Sequence, residues 1–270
     1  MAVTYLDIKE RRPYAEGIPF GDVGEFEQLD GIAHFAVDPS DPSNSPITDL
    51  ELAPKNEDGL VEFSTEFRII KPVDQQKGSH KLFFDVVNRG KPLSLMRINS
   101  TLETDPMGHG NGYQMRQGYT QVWCGWQHDV PGIPGLLRVH VPNASDANGP
   151  VTGRIAVTFQ PNRTSLFQML SDRGHVPYPA SSLEPLDAEL LVYDYDGGRS
   201  TTIPRSDWSI GRLEQGKLEP DPYHISLEKG FKAGKIYQFI YTTATAPIVG
   251  LGFAGVRDLI SYLRYSDNLD

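Results

Sequence analysis

Cysteine is almost missing from this chain: the 270 residues hold one, Cys124. A single thiol excludes an intrachain disulfide framework and any multi-cysteine metal site. Clustered positive charge is missing as well. Against 35 acidic residues stand 25 Lys and Arg, for a net charge of −10, and the longest basic run is Arg11-Arg12. A nucleic-acid backbone is gripped by grouped Lys and Arg, so nucleic acid is not an expected partner. No apolar stretch has the length of a bilayer-spanning helix, so no membrane partner is expected. The opening MAVTYLDIKERRPY lacks the apolar core of a secretory signal. The default reading is therefore a cytoplasmic, reducing location.

Catalytic signatures are also sparse. G-x-S-x-G, the strained turn that presents a serine hydroxyl to a histidine, does not occur. The closest text, Gly198-Arg-Ser200-Thr-Thr, lacks the second glycine. H-E-x-x-H is absent, and no two histidines stand four apart, so no helical zinc pair is expected. Asp194-Tyr-Asp196-Gly197-Gly198 begins like a calcium loop but lacks the later ligands, and reads as a turn. Neither metal nor cofactor is expected. Cys124 and His128 could be weighed as a nucleophile pair, but Cys124 ends an apolar strand and reads as a small buried hydrophobe. Three N-x-[ST] triplets, at Asn99, Asn143 and Asn162, read as chance matches.

What is present is mostly β pattern. Val61, Phe63, Thr65, Phe67 and Ile69 alternate with polar residues, the period of a half-buried strand. DPSDPSNSP at 38–46 is a loop, because proline fixes φ and its neighbours favour turns. Residues 82–87 form a nearly continuous apolar run, expected of a strand covered on both faces, and 119–124 form a second. Between them GHGNGYQMRQG has room for a short helix. From 137 onward half-buried strands return: Leu137 to Val141, Ile155 to Phe159, a hairpin turning at Asp196-Gly197-Gly198, and 235–243. The last 24 residues predict a helix starting near Pro247. Its expected buried stripe is Val249, Phe253, Val256, Ile260 and Leu263.

Two local features invite functional readings. Gly250, Gly252 and Gly255 spell G-x-G-x-x-G between a strand and a helix, as in dinucleotide-binding turns. The acid that would hold the ribose falls about 20 residues on, at the very end of the chain or beyond it. Only seven residues follow Leu263 for a second parallel strand, and small residues on a helix also serve close packing. The cluster Trp126-Gln127-His128-Asp129 follows an apolar strand, where functional loops of α/β folds lie.

Several segments together resemble a family of bacterial proteins, the alpha/beta hydrolase domain-containing proteins. They are Phe20 to Gly24, Leu29 to Pro39, Leu52 to Pro54 with Gly59 to Phe63, Phe84 to Gly90, Gly118 to Gln127, Gly230 to Tyr237, Val249 to Asp258, and Ser261 to Tyr265. The resemblance implies an α/β fold: a partial hydrolase-type sheet with a β-rich N-terminal segment at 1–80 and a first core part at 81–136. A β-rich insertion at 137–243 and a core helix at 244–270 would follow. It further implies an esterase-like serine hydrolase acting, in full-length form, on small-molecule esters. The oxyanion-hole candidates would be Asn88, Arg89 and Gly90, with Trp126, Gln127, His128 and Asp129 at the substrate rim. Nucleophile, acid and base are expected beyond Asn268-Leu-Asp270, so the chain alone is expected to be inactive. The alternatives are a non-catalytic module pairing with itself or a partner chain through an exposed sheet edge, and a dinucleotide-binding protein.

Overall fold

The computed structural model describes residues 2–171 and 174–266, which divide into two compact units, 1–142 with 248–270, and 143–247. The end at Asn268–Asp270, where sequence reading places the stop before a nucleophile strand, lies outside the described residues.

In the first unit, strands β1 (Val3–Pro13), β2 (Phe26–Val37), β3 (Val61–Pro72), β4 (Leu82–Val86), β5 (Thr120–Cys124) and β6 (Val139–His140) form one sheet. Its order is β1-β2-β3-β5-β4, with β6 also on β3. Helices α1 (Ser94–Ile98) and α2 (Tyr113–Arg116) lie between β4 and β5, the latter within the stretch expected to hold a short helix. Helix α3 (Leu251–Tyr265) closes the unit. Along β3 the alternation behaves as expected: Val61, Phe63, Thr65, Phe67 and Ile69 are buried and the residues between them are not. A core of Phe20, Phe26, Ile70, Val87, Leu95, Met115, Trp123 and Leu137 gathers around α1 and α2.

The second unit holds β7 (Ser145–Asp146), β8 (Gly149–Pro150), β9 (Gly153–Phe159), β10 (Ser165–Met169), β11 (Glu189–Tyr193) and β12 (Thr201–Ile203). It continues with β13 (Trp208–Ile210), β14 (Arg212–Glu214), β15 (Lys217–Glu219), β16 (His224–Phe231) and β17 (Ile236–Thr243). Its two main sheets, β12-β11-β17-β9 and β10-β16-β13, contribute Leu190, Phe239 and Tyr241 on one side and Trp208, Ile225 and Phe231 on the other to a shared core. Trp208 meets Phe239 edge-on at 5.2 Å. The hairpin around Asp196-Gly197-Gly198 forms as β11 and β12.

The α/β-hydrolase-type expectation is corrected by this architecture. Three α-helices and six short 3-10 turns accompany seventeen strands among the described residues, and the strands lie in several separate sheets. Every strand pair is antiparallel except β4–β5. A hydrolase-type core needs a mostly parallel sheet with helices on its faces. One parallel pair is not such a sheet. The run at 82–87 is corrected too, since β4 is an edge strand with Leu82 and Val86 exposed rather than a strand covered on both faces. Among the described residues no helix is long and apolar enough to cross a membrane. Asn99, the first glycan-like triplet, is fully buried.

The C-terminal helix forms, but begins at Leu251 and buries a different face. Leu251, Gly252, Ala254, Gly255, Asp258 and Leu259 face inward, whereas Val249 and Phe253 are exposed and Val256, Ile260 and Leu263 are half-covered. The inward face is made of small residues because the helix sits close. A Cβ added at Gly252 would overlap the Trp126 carbonyl oxygen, and one at Gly255 would stand 3.2 Å from Phe63 Cε2. Arg257 ties α3 to the 38–46 loop, donating to the Ser43 carbonyl at 3.0 Å and to Asn44 Oδ1 at 2.9 Å. The glycine pattern thus serves helix–sheet packing, and the positions a pyrophosphate would approach are filled by Ile47, Trp126 and Phe63.

This account separates the two glycines. Gly252→Ala should cost about 3 kcal/mol in urea unfolding, because backbone must move. Gly255→Ala should be near neutral, since crowding at a ring edge is offset by a helix-propensity gain of about 1 kcal/mol. Equal losses at both positions would refute it.

Candidate functional site

The two loops singled out in the sequence are brought together at the C-terminal ends of β4 and β5. Parallel pairing, with Leu82 beside Thr120 and Val86 beside Cys124, makes both strands end at the same level. Asn88 to Lys91 then reverses the chain as a two-residue turn: Asn88 N–H donates to Lys91 O at 3.3 Å and Lys91 N–H to Asn88 O at 3.1 Å. Its central residues, Arg89 (φ 52°) and Gly90 (φ 80°), both have positive φ, as tight hairpin turns of the primed type require. Glycine adopts this freely, whereas arginine pays about 1–2 kcal/mol.

What holds Arg89 there is the second loop. Its N–H donates to Gln127 Oε1 at 3.0 Å, and its guanidinium Nη2 to Asp129 Oδ2 at 2.7 Å. The pair is partly open to water, so its geometry matters more than its Coulomb energy. Trp126 closes the base, donating from Nε1 to the Val87 carbonyl at 2.6 Å. Gly90 is pinned from the far side: Leu137 N–H donates to Gly90 O at 2.9 Å, and an added Cβ would crowd Val130. His128 is half-buried, and burial holds its imidazole below the ordinary value, with Asp129 raising it and Arg89 lowering it.

Most polar groups of this cluster are directed at one another. The Asn88 and Arg89 N–H groups, read as oxyanion-hole candidates, are directed at Lys91 O and Gln127 Oε1 within the cluster. Such donors would have to converge on a substrate oxygen. Cys124 is fully buried and its thiol is pushed up to about 12 by desolvation, so it is a thiol and not a thiolate at neutral pH. No group of three or more His, Cys, Asp or Glu among the described residues could hold a metal ion.

Beside the cluster lies the open edge of β4. Its inward-facing Asp85 is fully engaged: Oδ2 accepts from Leu93 N–H at 3.1 Å, Ser94 N–H at 2.9 Å and Trp123 Nε1 at 2.8 Å. On the opposite strand face Leu82 and Val86 are 36% and 55% exposed. Helix α3 lies against β1, β3 and β4, and its Phe253, 66% exposed, meets Trp126 at a tilt with ring centroids 5.2 Å apart. An apolar patch therefore runs from the end of β4 across Trp126 to the outer stripe of α3.

One arrangement escaped sequence reading. Tyr5, His34, Ser64 and His140 stand opposite one another across β1, β2, β3 and β6. Tyr5 stacks on His34 at 4.2 Å, and the row lines a shallow cavity of about 330 Å³ with Thr4 and Glu62. His140 Nε2 is 3.5 Å from Glu66 Oε1. The two histidines flank Ser64 from separate strands, two strand spacings or roughly 10 Å apart along the sheet. Only strand register could have revealed the row, because its members are remote in sequence.

Compared with known proteins, the chain matches no family model, no curated protein and no solved structure.

The depressed His128 gives a pH dependence with a definite sign. The folded state binds fewer protons than the unfolded one between the lowered value and about 6.5, so stability rises with pH across that window. Acidifying from neutral should therefore destabilise the protein, levelling off below the lowered value. His128→Gln should remove this part of the slope in urea unfolding at several pH values. An unchanged slope in the variant would show that His128 is not its source.

Proposed function

We propose that this chain is a non-catalytic assembly module whose first unit recognises another polypeptide by adding an extended segment to the open edge of β4. The observation that carries this reading is the difference between the two edges of the same sheet. β1 is defended as edge strands are: Lys9, Glu10, Arg11 and Arg12 line it, two register shifts interrupt it and Pro13 ends it. β4 reads Leu-Phe-Phe-Asp-Val, pairs with β5 without a shift, and contains neither proline nor a basic residue. Its one charge, Asp85, already accepts three N–H donors, so a strand laid alongside would not strand an unpaired carboxylate. Main-chain hydrogen bonds would supply affinity, and Leu82, Val86 and Phe253 the side-chain contacts.

A synthetic peptide of residues 81–87 is a suitable strand probe. Added in excess to dilute protein, it should bind saturably and slow amide hydrogen exchange within β4. Val86→Lys places a charge on an exposed position of the edge, and should weaken peptide binding about tenfold or more while leaving the unfolding midpoint nearly unchanged. Equal binding by the variant, or β4 amides that exchange as fast with peptide as without, would overturn the reading.

A further inference from the structure

The charge around β4 narrows the occupant, resting on that reading of the edge. We propose that the added segment is an acidic-flanked strand of a partner protein, with an apolar or alternating core and a carboxylate at each end. The observation behind this is that the open edge lies in a basic stretch of an acidic chain. The whole chain has 35 acidic residues against 25 Lys and Arg, but residues 75–102 hold five Lys and Arg and one acid, Asp85. Two of the five bracket the strand. Lys81 extends the ladder by one residue, its carbonyl accepting from Thr120 N–H at 3.0 Å. Lys91 pairs across the turn with Asn88, two residues beyond the end of β4 at Val86. Both lysines are exposed.

Their pairing sets them apart from the basic residues of the other edge. On β1, Lys9, Arg11 and Arg12 meet the carboxylates of Asp7, Glu27 and Glu10, and Arg89 meets that of Asp129. Among the described residues, no carboxylate stands within ion-pair distance of Lys77, Lys81, Lys91 or Arg97. The one acid of the stretch, Asp85, already accepts three N–H groups. The edge is thus positive at both ends and apolar between them, where Leu82 and Val86 stand exposed. A polyanion without apolar side chains, a nucleic acid included, would meet the lysines and leave Leu82 and Val86 in water. An extended polypeptide with acids at its ends meets both, and its main chain meets the ladder as well. At about 3.3 Å per residue, the span from Lys81 to Asn88 calls for acids about seven residues apart. The screening length at physiological salt is about 8 Å, so the two lysines act on a bound carboxylate while remote acids of the chain are largely screened. A basic-flanked strand would meet like charge at both ends, which makes the edge selective as well as open.

Three peptides with one core test this: Glu-Val-Thr-Val-Thr-Val-Thr-Glu, and versions with Gln or Lys in place of both Glu. Each is blocked at its termini so that only the flanks carry charge. At physiological salt the glutamate peptide should bind about tenfold more tightly than the glutamine one, and the lysine peptide most weakly. Bound peptide should slow amide exchange in β4. The double variant Lys81→Glu, Lys91→Glu changes two exposed side chains, so its unfolding midpoint should stay nearly unchanged. It should reverse the order, with the lysine peptide binding best. Equal affinity for the glutamate and glutamine peptides, or an order that the double variant does not reverse, would overturn the acidic partner and leave strand addition standing. The same holds if none of the three binds while the 81–87 peptide does; failure of all four removes both. An oligothymidylate that binds more tightly than the glutamate peptide, and loses that binding in the double variant, would assign the lysines to nucleic acid and overturn the proposal.

Discussion

An edge strand with one neighbour needs an anchor beyond its own ladder, and in the first unit that anchor is Asp85. Its carboxylate gathers the N–H groups of Leu93 and Ser94 at the start of α1 and the indole N–H of Trp123 on β5. Hydrogen bonds to an ionised acceptor are stronger than neutral ones, and these three tie β4 to the helix that follows it and to its partner strand. Trp123 is fully buried, so the carboxylate also satisfies a polar atom that would otherwise be costly inside the core. With β4 fixed, the chain leaves it at the level of the β5 end, and the Asn88–Lys91 turn meets the Trp126–Asp129 loop. The strained φ of Arg89 is a consequence of this meeting, compensated by Gln127 and Asp129.

The same anchor explains why an apolar edge can persist. Edge strands are commonly guarded by charge, proline or bulges, and β1 uses all three. On β4 the single charge is turned inward and spent, leaving Leu82 and Val86 outward. Helix α3 repeats the theme. It is apolar on two faces, and its small-residue face wins the sheet because glycines permit backbone-to-backbone approach, as the space under Gly252 shows. The bulkier stripe is left outside.

That choice marks the limit of what was legible in the sequence. Period-two alternation identified β3, turn chemistry the hairpin at Asp196-Gly197-Gly198, and Ile, Tyr and Phe content the strand at 235–243, because each of these signals is local. Apolar residues stepping by four and three identified α3 as a helix, but a stripe of bulky residues points at Phe253 and Val256. The packed face of Leu251, Ala254, Gly255 and Leu259 is visible only once close approach is considered. The apolar run at 82–87 reads the same whether a strand is covered by a second neighbour or stands open, so its edge position was hidden. The fold class failed for a related reason: the α/β core was what the family resemblance implied, whereas pairing direction decides the class and is not encoded locally. The Trp126–Asp129 loop was found from its place after an apolar strand and the Asn88–Gly90 loop through the family resemblance, but their hydrogen bonds to each other could not be. The Tyr5–His34–Ser64–His140 row was invisible because it exists only across register.

The asymmetry between the two edges bears on what kind of assembly the first unit can form. A sheet with two open edges propagates, since every added copy exposes another edge, and the product is a fibre. In this chain the charged, shifted and proline-ended β1 is the edge that resists such addition. Removing that defence would matter more for solubility than for folding, as its charged side chains stand in solvent and contribute little to the core. The net charge of −10 acts in the same direction, disfavouring any contact between copies that does not bury enough apolar surface to outweigh long-range repulsion.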